Sequence, residues 1–245
     1  MKIYTALQRG EYHENYCEDS LYYGKYGKDK MLFAVMDGCT TAMESHFSST
    51  LISKIIKKIC LEKGYKDFVA YSHKKSSLET ELKSIMSDLM QELKTIKNQL
   101  LLDTKELLTT LLLLLVDQTT NEGILLAIGD GFVNINGTIT DLEQDNKPDY
   151  LGFHCNDDFE TFYTSQKQIT PINTISDITI ATDGIFTFES FSKNKTDEDL
   201  NCIDYLTKNK AQEESNEMLT LKLKFIENQL GKKPTDDFTM IRIIK

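Results

Sequence analysis

Three apolar runs in this chain end in an aspartate followed by glycine, and a fourth begins with an aspartate. Met31 to Met36 leads into Asp37-Gly38, Ile124 to Ile128 leads through Gly129 into Asp130-Gly131, and Ile178 to Thr182 leads into Asp183-Gly184. The reversed case is Asp236-Asp237 followed by Phe238 to Ile243. Short, nearly continuous apolar runs of this length read as buried strands. A glycine beside the carboxylate lets the backbone come close to a ligand. A fifth aspartate, Asp19, closes the polar stretch from Gly10 and precedes a short strand at Leu21 to Tyr23. Carboxylates gathered at one sheet edge repel one another unless a divalent cation neutralises them. The pattern therefore points to a metal centre built from the strand-end aspartates Asp19, Asp37, Asp130, Asp183 and Asp236.

Between these strands the periodicity changes. Met43, Phe47, Leu51, Ile55 and Ile59 recur every four residues and predict an amphipathic helix over 43–60, with a loop over 61–75. Ser76 and Glu79 have capping-box spacing, and Leu78, Leu82, Ile85, Leu89, Leu93, Ile96 and Leu100 predict a second helix over 76–101. The chain turns β-like from Glu106, with hairpins expected around Asn121-Glu122-Gly123 and Asn136-Gly137. Residues 141–170 read as a polar loop or flap. Residues 187–235 read as a polar segment with helical patches at Leu200, Ile203 and Leu206 and at Leu219, Leu223, Ile226 and Leu230. No repeat or composition break divides the 245 residues, so a single domain over 1–245 is expected.

The net charge of -10 disfavours nucleic acid and anionic membrane as partners, since phosphate surfaces reward clustered Lys and Arg. Five cysteines, an odd number with no C-x-x-C pair, read as reduced thiols and not as a disulfide framework. The start of the chain lacks a signal-like apolar stretch, and the run Leu107 to Val116 is too short for a membrane helix. A cytoplasmic protein is the expectation. The sequons at Asn136 and Asn194 are then chance.

The order of these motifs resembles the metal-dependent type 2C family of protein serine/threonine phosphatases, over nearly the whole chain. Cys17-Glu18-Asp19-Ser20 is similar to the family's Asn-Glu-Asp-Ser motif, and Val35-Met36-Asp37-Gly38 to its Asp-Gly motif. Leu108-Thr109-Thr110-Leu111 is similar to its Gly-Thr-Thr strand, and Ile128-Gly129-Asp130-Gly131 to its Gly-Asp-Ser. Thr182-Asp183-Gly184-Ile185 resembles Ser-Asp-Gly-Leu, and Asp236-Asp237-Phe238-Thr239 resembles Asp-Asn-Ile-Thr. Any one of these is a common turn sequence; six in order are not. The compact spacing resembles the bacterial branch.

The resemblance implies an α+β fold, a four-layer α-β-β-α sandwich of two antiparallel sheets with helix pairs on both outer faces. It implies two Mn2+ or Mg2+ ions, with a third in some members. Carried over, Asp37 would bridge both ions, the Gly38 carbonyl would ligate one, and Asp183 and Asp236 the other. Asp19 would hold a water of the metal shell, and Asp130 matches the third-ion position. His13 matches the first-segment Arg or His that meets substrate phosphate, with Arg9 as a weaker alternative. His46, His73 and His154 have no supporting context.

The implied activity is hydrolysis of phosphoserine or phosphothreonine, with a phosphoprotein partner that is a kinase target or a single regulatory protein. Three departures bear on this. Cys39 stands where eukaryotic members carry a general-acid His, Cys17 replaces asparagine, and Gly131 replaces serine. They keep open an alternative, a pseudophosphatase or partner-binding module of the same fold.

Overall fold

The computed structural model describes residues 1–69, 76–142, 148–191 and 200–245. The sequon at Asn194 and His73 lie outside the described residues. The chain begins with β1 (Lys2–Gln8), β2 (Ser20–Tyr26) and β3 (Lys30–Met36), then α1 (Phe47–Val69) and α2 (Leu78–Leu100). Next come β4 (Leu111–Asp117), β5 (Glu122–Ile128), β6 (Phe132–Ile135) and β7 (Thr138–Asp141). After α3 (Phe159–Ser165) follow β8 (Ile169–Ile172), β9 (Asp177–Ala181) and β10 (Phe188–Ser190). The chain closes with α4 (Cys202–Thr207), α5 (Met218–Phe225), β11 (Lys232–Pro234) and β12 (Phe238–Ile244).

Two five-stranded antiparallel sheets form, in the orders β1-β12-β9-β6-β7 and β2-β3-β4-β5-β8. A small ladder pairs β10 with β11. The leucine run of β4 explains the layering. Leu111, Leu113 and Leu115 join the cluster under α1 and α2, while Leu112, Leu114 and Val116 join Phe33, Ile180 and Ile241 between the sheets. Both faces of β4 are covered, so alternation disappears and every residue is apolar. On the far side, Tyr4, Phe132 and Met240 pack against Leu206 of α4 and Leu219 and Leu223 of α5. The four-layer order α-β-β-α expected from the sequence is the one observed.

Several local expectations need correction. Residues 61–69 continue α1 and do not form a loop; this end carries exposed Leu61, Tyr65 and Phe68 and is supported by the Lys63–Asp67 pair at 3.3 Å. The cap of α2 is Ser77, whose Oγ accepts from Thr80 N–H at 3.1 Å, while Ser76 is drawn away to hydrogen-bond Glu81. The strand expected from Glu106 begins at Leu111, after a 3-10 turn over Thr104–Leu107. The flap over 141–170 holds α3 and the edge strand β8, and the segment 187–235 holds the β10–β11 ladder besides its helices.

Candidate metal centre

Strand register brings the aspartates to one end of the sandwich. Ser20 pairs with Met36 across β2 and β3, so the preceding Asp19 faces the following Asp37. In the other sheet Ala181 pairs with both Met240 and Phe132, which sets Asp183 beside the start of β12 and the start of β6. Asp130 lies between β5 and β6, where the chain passes from one sheet to the other. Asp236 immediately precedes Asp237 and β12.

The Asp37 backbone is pinned by the two threonines that enter β4. Thr110 N–H donates to Asp37 O at 2.9 Å, Asp37 N–H donates to Thr110 Oγ1 at 3.1 Å, and Thr109 Oγ1 donates to Asp37 O at 2.7 Å. The next residue has no room for a side chain. A Cβ on Gly38 would stand 2.1 Å from Ser45 O and 2.7 Å from Glu18 O. That is why a glycine follows the aspartate.

The carboxylates feel one another. Burial pushes Asp37 well above the ordinary carboxylate range, and the charges of Asp19, Asp183 and Asp236 push it further. Burial raises Asp183 to about 7, with Asp236 and Asp130 adding to the shift. Asp19 is raised to about 7 by burial, against the hydrogen bond from Thr182. Asp130 is raised by burial and by Asp141 and Asp236. In the absence of a cation the cluster resists carrying its full charge.

The histidines and the residues that depart from the resembled motifs have defined surroundings. His13 is held against the neighbouring carboxylate: its Nδ1 lies 2.8 Å from Asp237 Oδ2, an ion-pair contact without hydrogen-bond alignment, and its Nε2 lies 3.4 Å from Asp236 Oδ1. Burial works against its charge, but the contact with Asp237 and the surrounding carboxylates outweigh it and raise its pKa. Arg9 is spent on the backbone, donating to Glu14 O at 2.7 Å. His46 stacks on Tyr16 with centroids 4.3 Å apart, and His154 is held between Asp149 and Asp157. Cys39 is buried, with Sγ 3.1 Å from Thr41 Oγ1. Gly131 has φ +143, and a Cβ there would meet Ala181 O at 2.9 Å, so the serine of the resembled motif does not fit this backbone.

Sequence reasoning passed over Asp237, Thr182 and Tyr150. The Asp-Asp doublet was visible, but nothing in it tells which member is buried. Asp237 is 1% exposed, whereas the Asp236 side chain is 45% exposed. Tyr150 reaches toward Cys39, Asp37 and Asp130 from the flap, and burial raises its pKa first, with Cys39 next.

Among the described residues no three His, Cys, Asp or Glu side chains converge as a ready metal cage. The donor set nevertheless fits a hard divalent cation. It is made of carboxylate oxygens, and Asp19 Oδ1 is buried with no hydrogen-bond partner. An orphaned anionic oxygen beside other buried carboxylates is costly unless a positive charge meets it.

Similarity to solved structures covers nearly the whole chain. Stp1 from Staphylococcus aureus, a serine/threonine phosphatase, is 14% identical with a TM-score of 0.61, covering 100% of this chain and 95% of that one. RsbX in complex with magnesium is 16% identical with a TM-score of 0.54, covering 98% and 94%. The phosphatase domain of SpoIIE from Bacillus subtilis, solved with a fragment of its regulatory domain, is 17% identical with a TM-score of 0.56, covering 98% of this chain and 62% of that one. These identities speak to the fold alone. Comparison with curated proteins by sequence gives no match. The model of the family described as Protein phosphatase 2C matches residues 9–224, and the chain therefore belongs to the protein phosphatase 2C family.

Proposed function

We propose that this protein is a metal-dependent phosphatase acting on phosphoserine and phosphothreonine in proteins. The observation that carries the reading is the delivery of aspartates from both sheets to one end of the sandwich, with Asp19 Oδ1 left buried and unpartnered. Asp37, Asp183 and Asp236, with the Gly38 carbonyl, would hold two divalent cations, with Asp19 beside them and Asp130 toward a third. When bound, Mn2+ or Mg2+ would offset the charge of the phosphoryl oxygens and make water acidic enough to attack phosphorus.

The chain's own residues do the rest. Thr109 and Thr110 hold the Asp37 backbone in place, so that its carboxylate is set before a ligand arrives. Thr182 holds Asp19. His13 stands beside Asp236, where it would meet a phosphoryl oxygen. Cys39 and Tyr150 lie close to one another beside Asp37. The reaction needs no covalent enzyme intermediate, which agrees with a buried Cys39. No helix among the described residues is long and apolar enough to cross a membrane.

The test is hydrolysis of p-nitrophenyl phosphate and of a phosphothreonine peptide with Mn2+, Mg2+ or EDTA. Metal-dependent turnover that is lost in Asp37→Ala and in Asp183→Ala is the expected result. Mn2+ binding without turnover on either substrate would leave a binding module in its place, and no binding at all would remove the metal centre.

A further inference from the structure

Asp237 turns away from the centre that Asp236 joins, and its carboxylate is filled by donors from a single loop. Oδ1 accepts the N–H of Gly10 at 2.7 Å. Oδ2 accepts the N–H of Glu18, and the Nδ1 of His13 lies 2.8 Å from the same oxygen. One buried side chain thus closes the loop 10–18 at both ends and touches its middle. Along its first half the loop also lies on the segment leading to Asp236: Glu11 N–H donates to Pro234 O and Tyr12 N–H to Thr235 O, each at 3.0 Å. The loop's far end runs directly into Asp19.

We propose that Asp237 is the positioning residue of the centre, setting Asp19, His13 and Asp236 in register for the cation. The proposal rests on the metal-dependent reading above. Two backbone N–H donors converge on this side chain, one on each oxygen, and only a group that accepts on both arms can answer both. The asparagine of the resembled motif would present one acceptor oxygen and one donor nitrogen, and the nitrogen would face an N–H. Aspartate here therefore matches the histidine and the two loop amides of this chain. A carboxylate that is 1% exposed is costly to bury unless bonded, and the two amide hydrogen bonds with the His13 contact offset that cost. Groups that hold metal-binding side chains in place typically change metal affinity by about 10–100-fold when removed.

The experiment uses Asp237→Asn, with Arg242→Leu as a control that loses stability far from the centre. Mn2+ affinity is measured by calorimetry on each folded, metal-stripped protein. The expected result is a fall of roughly tenfold or more in Asp237→Asn and no change in Arg242→Leu. A folded Asp237→Asn with wild-type Mn2+ affinity overturns the proposal, as does an equal fall in the control. Wild-type protein that binds no Mn2+ overturns the metal reading itself, which separates the two failures. If Asp237→Asn does not fold, amide exchange in metal-free wild type decides. Protection of the Gly10 and Glu18 amides equal to that of β1 and β12 supports the staple, and exchange at open-loop rates overturns it.

Discussion

Thr182 Oγ1 donates to Asp19 Oδ2 at 2.7 Å, joining the end of one sheet to the start of the other. The same hydroxyl oxygen accepts from Thr239 N–H at 2.9 Å, so it bridges β12, β9 and the strand entry at Asp19. All three residues are buried. The two sheets pack through apolar contacts that would tolerate some sliding, and this hydroxyl is a directional contact at the end where the aspartates meet.

Thr182→Val keeps the shape of the side chain and removes its hydroxyl. It leaves the Thr239 N–H without an acceptor and Asp19 without its donor. An orphaned buried polar group costs about 1–3 kcal/mol. Urea denaturation should show a loss of at least that size, with Thr182→Ser close to wild type. Mn2+ affinity should fall in the valine variant too, because the carboxylate it frees is one of the cluster. Equal midpoints for the valine and serine variants would show that the hydroxyl has no such role.

Gly38→Ala tests the close approach beside Asp37. The added methyl would stand 2.1 Å from a backbone carbonyl, which cannot rotate away as a side chain could. Overpacking of this kind costs about 1–3 kcal/mol and displaces the backbone. Thermal melting should fall, and Mn2+-dependent hydrolysis of p-nitrophenyl phosphate should be lost even in the fraction that stays folded. Wild-type turnover in this variant would mean that the loop at Ser45 yields freely.

The strands and their terminal aspartates were legible because a buried strand needs a continuous apolar run, as Leu111 to Val116 shows. The length of α1 was not, because its last two turns carry Leu61, Tyr65 and Phe68 on exposed faces where periodicity against a core has no meaning. The cap of α2 was missed by one residue: two adjacent serines offer the same chemistry, and the tertiary pull of Glu81 on Ser76 decides between them. The centre was legible as a set of aspartates, but not its supports. Asp237 differs from Asp236 only in which side of the strand entry it faces, a fact of register that no single sequence states. His13 was foreseen beside the centre; that Asp237 would hold it there depends on the loop 10–18 folding back on β12.

Arg242 is fully buried in the middle of β12 and forks onto Asp177, with Nε to Oδ1 at 3.0 Å and Nη2 to Oδ2 at 2.7 Å. Its Nη1 also donates to the carbonyls of Leu206 and Asn209, each at 2.8 Å, and so closes the C-terminal end of α4. Arg242→Leu strands a nearly buried carboxylate and the Leu206 carbonyl, while the Asn209 carbonyl keeps its bond from Lys222 Nζ at 2.6 Å. Removing one partner of a buried pair typically costs about 3–5 kcal/mol. Chemical denaturation should show a loss in that range. A loss below about 1 kcal/mol would mean that water replaces the guanidinium.

Glu81 carries the pH dependence that is easiest to isolate, since it lies away from the aspartate cluster. Burial alone would raise its pKa. The Ser76 hydroxyl, the Lys63 and Lys30 ammonium groups and the Tyr26 hydroxyl together outweigh burial and lower it below the ordinary 4.5. Lys30 and Lys63 lie 3.7 and 3.5 Å from its oxygens. A carboxylate with a depressed folded pKa binds fewer protons folded than unfolded, so its stabilisation is present above the unfolded value. It is lost as pH falls below 4.5 and through the lower folded value. Urea midpoints of wild type and Glu81→Gln should differ most at pH 7 and converge between pH 4.5 and the folded pKa. A difference that is the same at pH 7 and pH 3 would place the stabilisation in packing of the side chain and not in its charge.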